Sequence, residues 1–159
     1  MEWPEPVERV AAFARAAGAE LRLEEFPAGT PTAKDAAQAI GVELGAIAKS
    51  LVFECDGRPV VVLVPGDRRA DPDKVAREAG AREARIAAAG EVEAATGFPP
   101  GAVAPFPLPG VELVLIDRLL LAHPLVWMGA GSDRHMAALA PAELVRLTRG
   151  RSVDAVLEG

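Results

Sequence analysis

Lys49 is the residue with the most unusual setting. It lies in Gly45-Ala46-Ile47-Ala48-Lys49-Ser50-Leu51-Val52-Phe53, an apolar stretch that runs into a strand pattern. A cation there must carry its head out to solvent, pair with a carboxylate or point into a pocket. In a pocket it would position an anion or stabilise negative charge that develops during a reaction. The residues alone leave both a solvated edge lysine and a pocket lysine standing. The background is arginine-rich, with 14 arginines against Lys34, Lys49 and Lys74, and arginine would serve equally well on a plain surface. A second feature is Gly97-Phe98-Pro99-Pro100-Gly101-Ala102-Val103-Ala104-Pro105. After Gly101 only small side chains precede Pro105, so bare backbone N–H groups can approach a ligand closely; an ordinary proline-rich loop has the same composition. A third, Gly129-Ala130-Gly131-Ser132, reads as a turn that could also line a pocket.

The familiar catalytic constellations are missing. The chain has no G-x-S-x-G elbow, P-loop, H-E-x-x-H or dinucleotide fingerprint. His123 precedes a proline and reads as a turn residue, His135 reads as structural, and the two make a poor metal set. Cys55, the only cysteine, sits beside a hairpin turn with no evident basic neighbour, so we expect it to be inert and expect no disulfide or cysteine-based zinc site. Neither a metal nor a cofactor is expected.

The elements that must position these residues follow from periodicity and punctuation. Val7, Val10, Ala11, Phe13, Ala14 and Ala17 fall at helical spacing up to Gly18. Leu21, Leu23 and Phe26 alternate as in a half-buried strand, followed by a loop from Pro27 to Pro31. Thr32 is a good N-cap for a helix that ends at Gly41. Ser50–Glu54 and Pro59–Val64 flank Asp56-Gly57, a strong hairpin signal, and the second arm is apolar on both faces, as in a strand inside a sheet. Asp71-Pro72 opens a helix that closes at Gly80, and Ala88 to Thr96 form another. Short strands are expected at 81–86, 112–117, 119–122, 126–128 and 135–139, with a final helix over 141–148. Hairpin signals are frequent and no βαβ repeat is evident. The expected fold is therefore α+β, one domain over residues 1–159, with a mixed and largely antiparallel sheet.

At 159 residues, half apolar and a quarter charged, the composition is globular. No apolar run reaches the roughly 20 residues needed to cross a bilayer, and the start is acidic and proline-rich rather than signal-like. A cytoplasmic protein with no membrane partner is expected. The net charge of −6 argues against a general nucleic-acid binder, though not against a protein that grips only one end of an RNA. Whether Arg68, Arg69, Arg82, Arg85 and Arg134 converge on one face is left open, as is the oligomeric state.

Taken in order, these segments resemble the YbaK/prolyl-tRNA-synthetase-associated editing family. Thr32 to Val42 followed by Ile47-Ala48-Lys49-Ser50-Leu51-Val52-Phe53 is similar to the family's helix, Gly-Val turn and I-x-K-S/T-L strand entry. Gly101 to Pro105 fits its G-x-x-x-P loop, Asp117 to Leu120 its D-x-x-L strand, and Pro141 to Leu144 the opening of its last helix. The resemblance implies a barrel-like mixed sheet surrounded by helices and an activity that hydrolyses the ester joining a wrong amino acid to transfer RNA, often proline tRNA. Mischarged tRNA, gripped at its acceptor end, and prolyl-tRNA synthetase are the implied partners. A non-catalytic module that binds aminoacyl-tRNA or a synthetase is the alternative. The family's essential lysine corresponds to Lys49, and its loop glycine, whose N–H would contact the aminoacyl carbonyl or the attacking water, corresponds to Gly101. Substrate-binding positions are implied at Thr30, Ser50, Ala102, Val103, Pro105, Gly129, Gly131 and Ser132. Ser50 stands where alanine editors carry asparagine, so the resemblance does not name the amino acid removed.

Overall fold

The computed structural model describes residues 3–158. Helix α1 (Glu5–Ala16) leads into β1 (Arg22–Glu25), α2 (Ala33–Ile40) and a 3-10 turn at Leu44–Ala46. A long hairpin, β2 (Ile47–Cys55) and β3 (Arg58–Pro65), follows, then α3 (Pro72–Ala79), β4 (Ala84–Ile86) and α4 (Ala89–Thr96). The chain closes with β5 (Leu113–Asp117), a second 3-10 turn (Arg118–Ala122), β6 (Val126–Ser132), β7 (His135–Leu139), α5 (Pro141–Thr148) and β8 (Arg151–Val153). This is the α+β architecture with a mixed sheet that the sequence implies.

Local chemistry sets the boundaries. Thr32 Oγ1 accepts from the Asp35 N–H at the start of α2, and Gly41 ends that helix in the left-handed region at φ 86°. Asp71 caps α3 in the same way and Gly80 closes it. Asp56 and Gly57 both have positive φ (51° and 81°), the requirement of a type I′ hairpin turn. The Asp56 carboxylate also accepts from the N–H groups of Arg82 and Glu83, which ties the approach to β4 onto the hairpin.

One sheet runs in the order β1-β7-β6-β2-β3-β5-β8, with β4 also paired to β2. β1–β7, β2–β3, β2–β4 and β6–β7 are antiparallel; β2–β6, β3–β5 and β5–β8 are parallel. The inner position expected for the second hairpin arm is realised: β3 lies between β2 and β5 and buries Val60 through Pro65. One face of the hairpin packs Ala48, Val52, Val61 and Leu63 against Val10, Phe98 and Met128. Its other face packs Phe53, Val60, Val62 and Val64 against Val75 and Leu115. Each fully buried valine or leucine here contributes about 1.5–3 kcal/mol relative to an exposed one.

Two expectations are corrected and one element is added. Residues 119–122 form a 3-10 turn, not a strand: the Asp117 carboxylate accepts from the Leu119 N–H at 3.1 Å and turns the chain as soon as β5 ends. The same carboxylate, fully buried, accepts from the Ala155 N–H at 2.8 Å and so holds the segment after β8. Gly129 to Ser132 do not form a turn but continue β6, with an irregularity in the β7 pairing between Gly129 and Ser132. Strand β8 was not anticipated, because two of its three residues are exposed and it carries no apolar alternation.

Candidate functional site

Strand β2 changes partners along one edge. Ile47 and Ala48 pair with β6, whereas Phe53 to Cys55 pair with β4. Between these ladders residues 49–52 have no strand beside them on that edge, although the β3 side is paired throughout. Only the Val52 carbonyl is taken, by the Ala87 N–H. A cleft of about 340 Å³ occupies the gap. Lys49, Ser50 and Leu51 supply one wall; Thr30 to Ala33 and Ala36, at the start of α2, supply another; Gly101, Val103, Gly129 and Met136 complete it.

Lys49 and Ser50 point to opposite faces of β2, as neighbours on a strand must. Lys49 pairs across the ladder with Val64 and Ser50 with Leu63. The half-buried Lys49 Nζ donates to the Arg68 carbonyl at 2.8 Å, so the turn after β3 fixes its head. No described carboxylate lies within ion-pair distance of it. Burial lowers the Lys49 pKa from its ordinary 10.5 and the nearby Arg69 guanidinium lowers it further, while Asp67 opposes them. The geometry lies between the two alternatives left by the sequence: Lys49 is a lining residue of the cleft, while its ammonium has one of its three donors engaged by the Arg68 carbonyl, outside that lining. Ser50 Oγ is buried and has no hydrogen-bond partner.

Gly101 owes its place to a well-anchored loop. Phe98 is fully buried, its N–H donates to Thr96 Oγ1, and the Arg9 guanidinium lies 4.9 Å over its ring while donating to the Gly97 carbonyl. Two residues beyond Pro99, Gly101 takes φ 82°, and a Cβ built on it would meet nothing within 4 Å. Backbone is therefore what Gly101 offers to the space around it.

The structure brings Lys49, Gly101, Thr30, Ser50, Val103 and Gly129 into the one cleft. Ala102, Pro105, Gly131 and Ser132 lie outside its lining. Ala102 donates its N–H to the Pro99 carbonyl and is buried; Pro105 lines a separate groove with Arg9 and Phe106. Gly131, at φ 100°, faces the Pro6 carbonyl and the Phe98 ring, so its role there is close packing. Ser132 Oγ shares a 2.6 Å hydrogen bond with His135 Nδ1 and accepts from the Arg134 N–H, which organises the β6–β7 turn. His135 is buried and His123 sits 3.2 Å from Glu43, both outside the cleft; Cys55 is fully buried, and burial raises its pKa.

Of the five arginines whose convergence was open, Arg85 is held bidentate by Glu91 and lines a different, mixed-charge cleft with Arg82, Glu54, Asp56 and Asp73. Arg68 and Arg69 stand beside Lys49. Arg134 belongs to the turn whose Asp133 carbonyl accepts from the Thr30 N–H at 2.7 Å. None of Lys34, Arg68, Arg69 or Arg134 has an ion-pair partner among the described residues. These four cations alternate along the chain with Asp35, Asp67 and Asp133, and Lys49 is the one charged residue in the cleft lining. Sequence reasoning missed Pro31 to Ala33 and Ala36 at the start of α2, Ile47, Ala48 and Leu51 on β2, and Met136 as lining residues; the Thr32 cap was the one signal that the start of α2 had a fixed place. No aspartate, glutamate or histidine lines the cleft, and no group of three metal-ligating side chains occurs among the described residues.

This architecture has close counterparts. The chain is 34% identical over 139 residues to a proline–tRNA ligase of Nitratidesulfovibrio vulgaris strain DP4, covering 86% of this chain and 23% of that protein. The chain thus spans about a quarter of the length of the ligase it matches. It is 36% identical over 126 residues to the uncharacterized protein YwhH of Bacillus subtilis strain 168, covering 79% and 80% of the two chains. A solved crystal structure of "a putative trans-editing enzyme for prolyl tRNA synthetase" superposes with a TM-score of 0.91 at 36% identity, covering 99% of this chain and all of that one. Residues 27–147 match the model of the aminoacyl-tRNA editing domain, and the chain belongs to that family.

Proposed function

We propose that this chain is a trans-acting aminoacyl-tRNA deacylase that removes a wrong amino acid from mischarged tRNA, with proline tRNA as the expected carrier. It would act as one domain, in the cytoplasm, without metal or cofactor, alone or beside prolyl-tRNA synthetase. The observation that carries this reading is the cleft at the interrupted edge of β2, where Lys49, with no carboxylate partner among the described residues, and the bare backbone of Gly101 border one space. The reading also has an economic logic: a synthetase pocket rejects a smaller amino acid poorly by binding alone, so a second site removes the error.

In the proposed reaction Lys49 holds the terminal phosphate or ribose of the acceptor end. The Gly101 N–H binds the aminoacyl carbonyl, or the water, and stabilises the oxyanion as the carbonyl becomes tetrahedral. Water oxygen bonds to the carbonyl carbon, the bond from that carbon to the ribose oxygen breaks, and a proton from the water ends on the ribose oxygen. The free amino acid leaves as its carboxylate with loss of the second proton. With no carboxylate or imidazole in the lining, the neighbouring ribose hydroxyl or a second water carries the proton, and the protein's part is positioning and charge stabilisation. The same lack of a general base suits the alternative, a module that binds aminoacyl-tRNA without cleaving it. Release of free amino acid from proline tRNA charged separately with alanine, cysteine and serine decides between them: catalytic turnover of any ester supports the deacylase, and binding without turnover supports the module.

A further inference from the structure

Lys49 takes its aim from a carbonyl whose own support lies outside the cleft. A lysine carries its charge on a flexible four-carbon stem, so a fixed partner decides where the ammonium points. Here the partner is the Arg68 carbonyl, at 2.8 Å, in a surface turn whose Asp67 and Arg69 are exposed. The turn is nevertheless clasped. Its Arg68 N–H donates to the Pro65 carbonyl at 3.0 Å, and its Gly66 N–H donates to the Ile47 carbonyl at 2.8 Å. Gly66 lies so near the 3-10 turn that a Cβ on it would stand 2.7 Å from the Leu44 carbonyl oxygen and 3.1 Å from Cβ of Ala33, a wall residue of the cleft. Next to it the Asp67 carboxylate folds back over the buried Gly45. Both of its oxygens, at 3.3 and 3.4 Å, and His123 Nε2, at 3.5 Å, converge on the point where a Cβ of residue 45 would be. The other ring nitrogen of His123 is 3.2 Å from Glu43, which precedes the same 3-10 turn.

We propose that Asp67 and His123 are positioning residues for Lys49: they close the Pro65–Arg68 turn onto the 3-10 turn ahead of β2 and so fix the carbonyl that aims the ammonium. For the reaction this rests on the deacylase reading. Neither residue lines the cleft, so each acts through Lys49 and not on the substrate. The place they share exists because residue 45 has no side chain to fill it. The Asp67 charge also favours the protonated form of Lys49 against burial and the Arg69 guanidinium, so it acts on the ammonium through space as well as through the turn. A pair that only stabilised the fold would act in the same way whatever stood at position 49.

That difference is the test, a double-mutant cycle in single-turnover deacylation of proline tRNA charged with serine, alanine or cysteine. Asp67→Asn and His123→Gln are each expected to slow wild type about five- to tenfold, the worth of one hydrogen bond, and to leave the rate of a Lys49→Met chain unaltered. Equal slowing in both backgrounds, or none in either, would overturn the proposal and leave the deacylase reading intact. A second readout needs no turnover. Lys34, Lys49 and Lys74 are the only lysines, so NMR of labelled lysine follows each side chain through its titration. Asp67→Asn should move the Lys49 titration to lower pH, and a midpoint that stays where wild type has it would overturn the proposal by itself. A wild type that cleaves none of the three esters overturns the deacylase reading, and the lysine titration then decides the seating of Lys49.

Discussion

Alanine at Gly101 and alanine at Gly131 should fail in different ways. At Gly101 the cost is backbone strain alone, because φ is 82° and the new methyl meets no heavy atom within 4 Å. Left-handed backbone costs an L-residue about 1–2 kcal/mol. At this chain length that lowers Tm by about 2–8 °C. Alanine at Gly131 carries strain of its own at φ 100° and also drives its Cβ to 2.9 Å from the Pro6 carbonyl oxygen and 3.2 Å from Phe98 Cε1. Backbone cannot yield as a flexible side chain can, so an overpacking cost of about 1–3 kcal/mol adds to the strain. The sum is roughly 2–5 kcal/mol, or about 4–20 °C. Activity should rank the other way. The Gly101 methyl stands in the open space beside the cleft and is expected to lower kcat/KM by about tenfold or more. The Gly131 variant, assayed well below its melting point, should lose less. Thermal melts followed by circular dichroism, with deacylation of the same preparations, provide both readings. Equal melting temperatures, or a Gly101→Ala enzyme more active than Gly131→Ala, would refute the division between a site glycine and a packing glycine.

Two further predictions concern buried charge. Asp117→Ala leaves the Leu119 and Ala155 N–H groups without their acceptor and should cost about 2–4 kcal/mol in urea unfolding, with Asp117→Asn costing less because one oxygen remains; equal losses would contradict the double-acceptor role. For Lys49 the sign follows from linkage. Its folded pKa lies below 10.5, so in the interval between the two values the unfolded chain binds more protons and stability rises with pH. Below that interval the protonated lysine carries its full penalty. Wild type should therefore gain stability relative to Lys49→Met as pH rises toward 10.5, and a difference that stays flat or moves the other way would place Lys49 in a better-solvated setting than its burial implies.

Much of the fold was legible because its punctuation is local. The Thr32 and Asp71 caps, the left-handed glycines at 41 and 80 and the Asp56-Gly57 turn each follow from a side chain or a φ value that few residues supply. The unbroken apolar run of β3 placed it inside the sheet for the same kind of reason: both of its faces need cover. Residues 119–122 misled because three leucines and an alanine read as a strand's apolar run, whereas Leu120 alone is buried and the Asp117 carboxylate turns the chain into a 3-10 turn. At the candidate site, Lys49 and Gly101 stood out by type and context. What the sequence does not carry is the interruption that makes the cleft, since it arises where β6 and β4, distant in the chain, stop short of each other along β2. Gly101 and Gly131 likewise sit in similar small-residue contexts, and only the Pro6 carbonyl and the Phe98 ring separate their roles. The unpartnered Ser50 hydroxyl is a tertiary property with no local signal.

The central claim is that the β2 cleft deacylates tRNA through Lys49. Its most direct test is single-turnover deacylation of seryl-, alanyl- and cysteinyl-proline tRNA by wild type and Lys49→Met, with melting curves recorded on the same samples. The account predicts that wild type clears at least one ester and that Lys49→Met clears it about 100-fold more slowly while remaining folded. A wild-type chain inert on all three esters, or a folded Lys49→Met variant as fast as wild type, would contradict it.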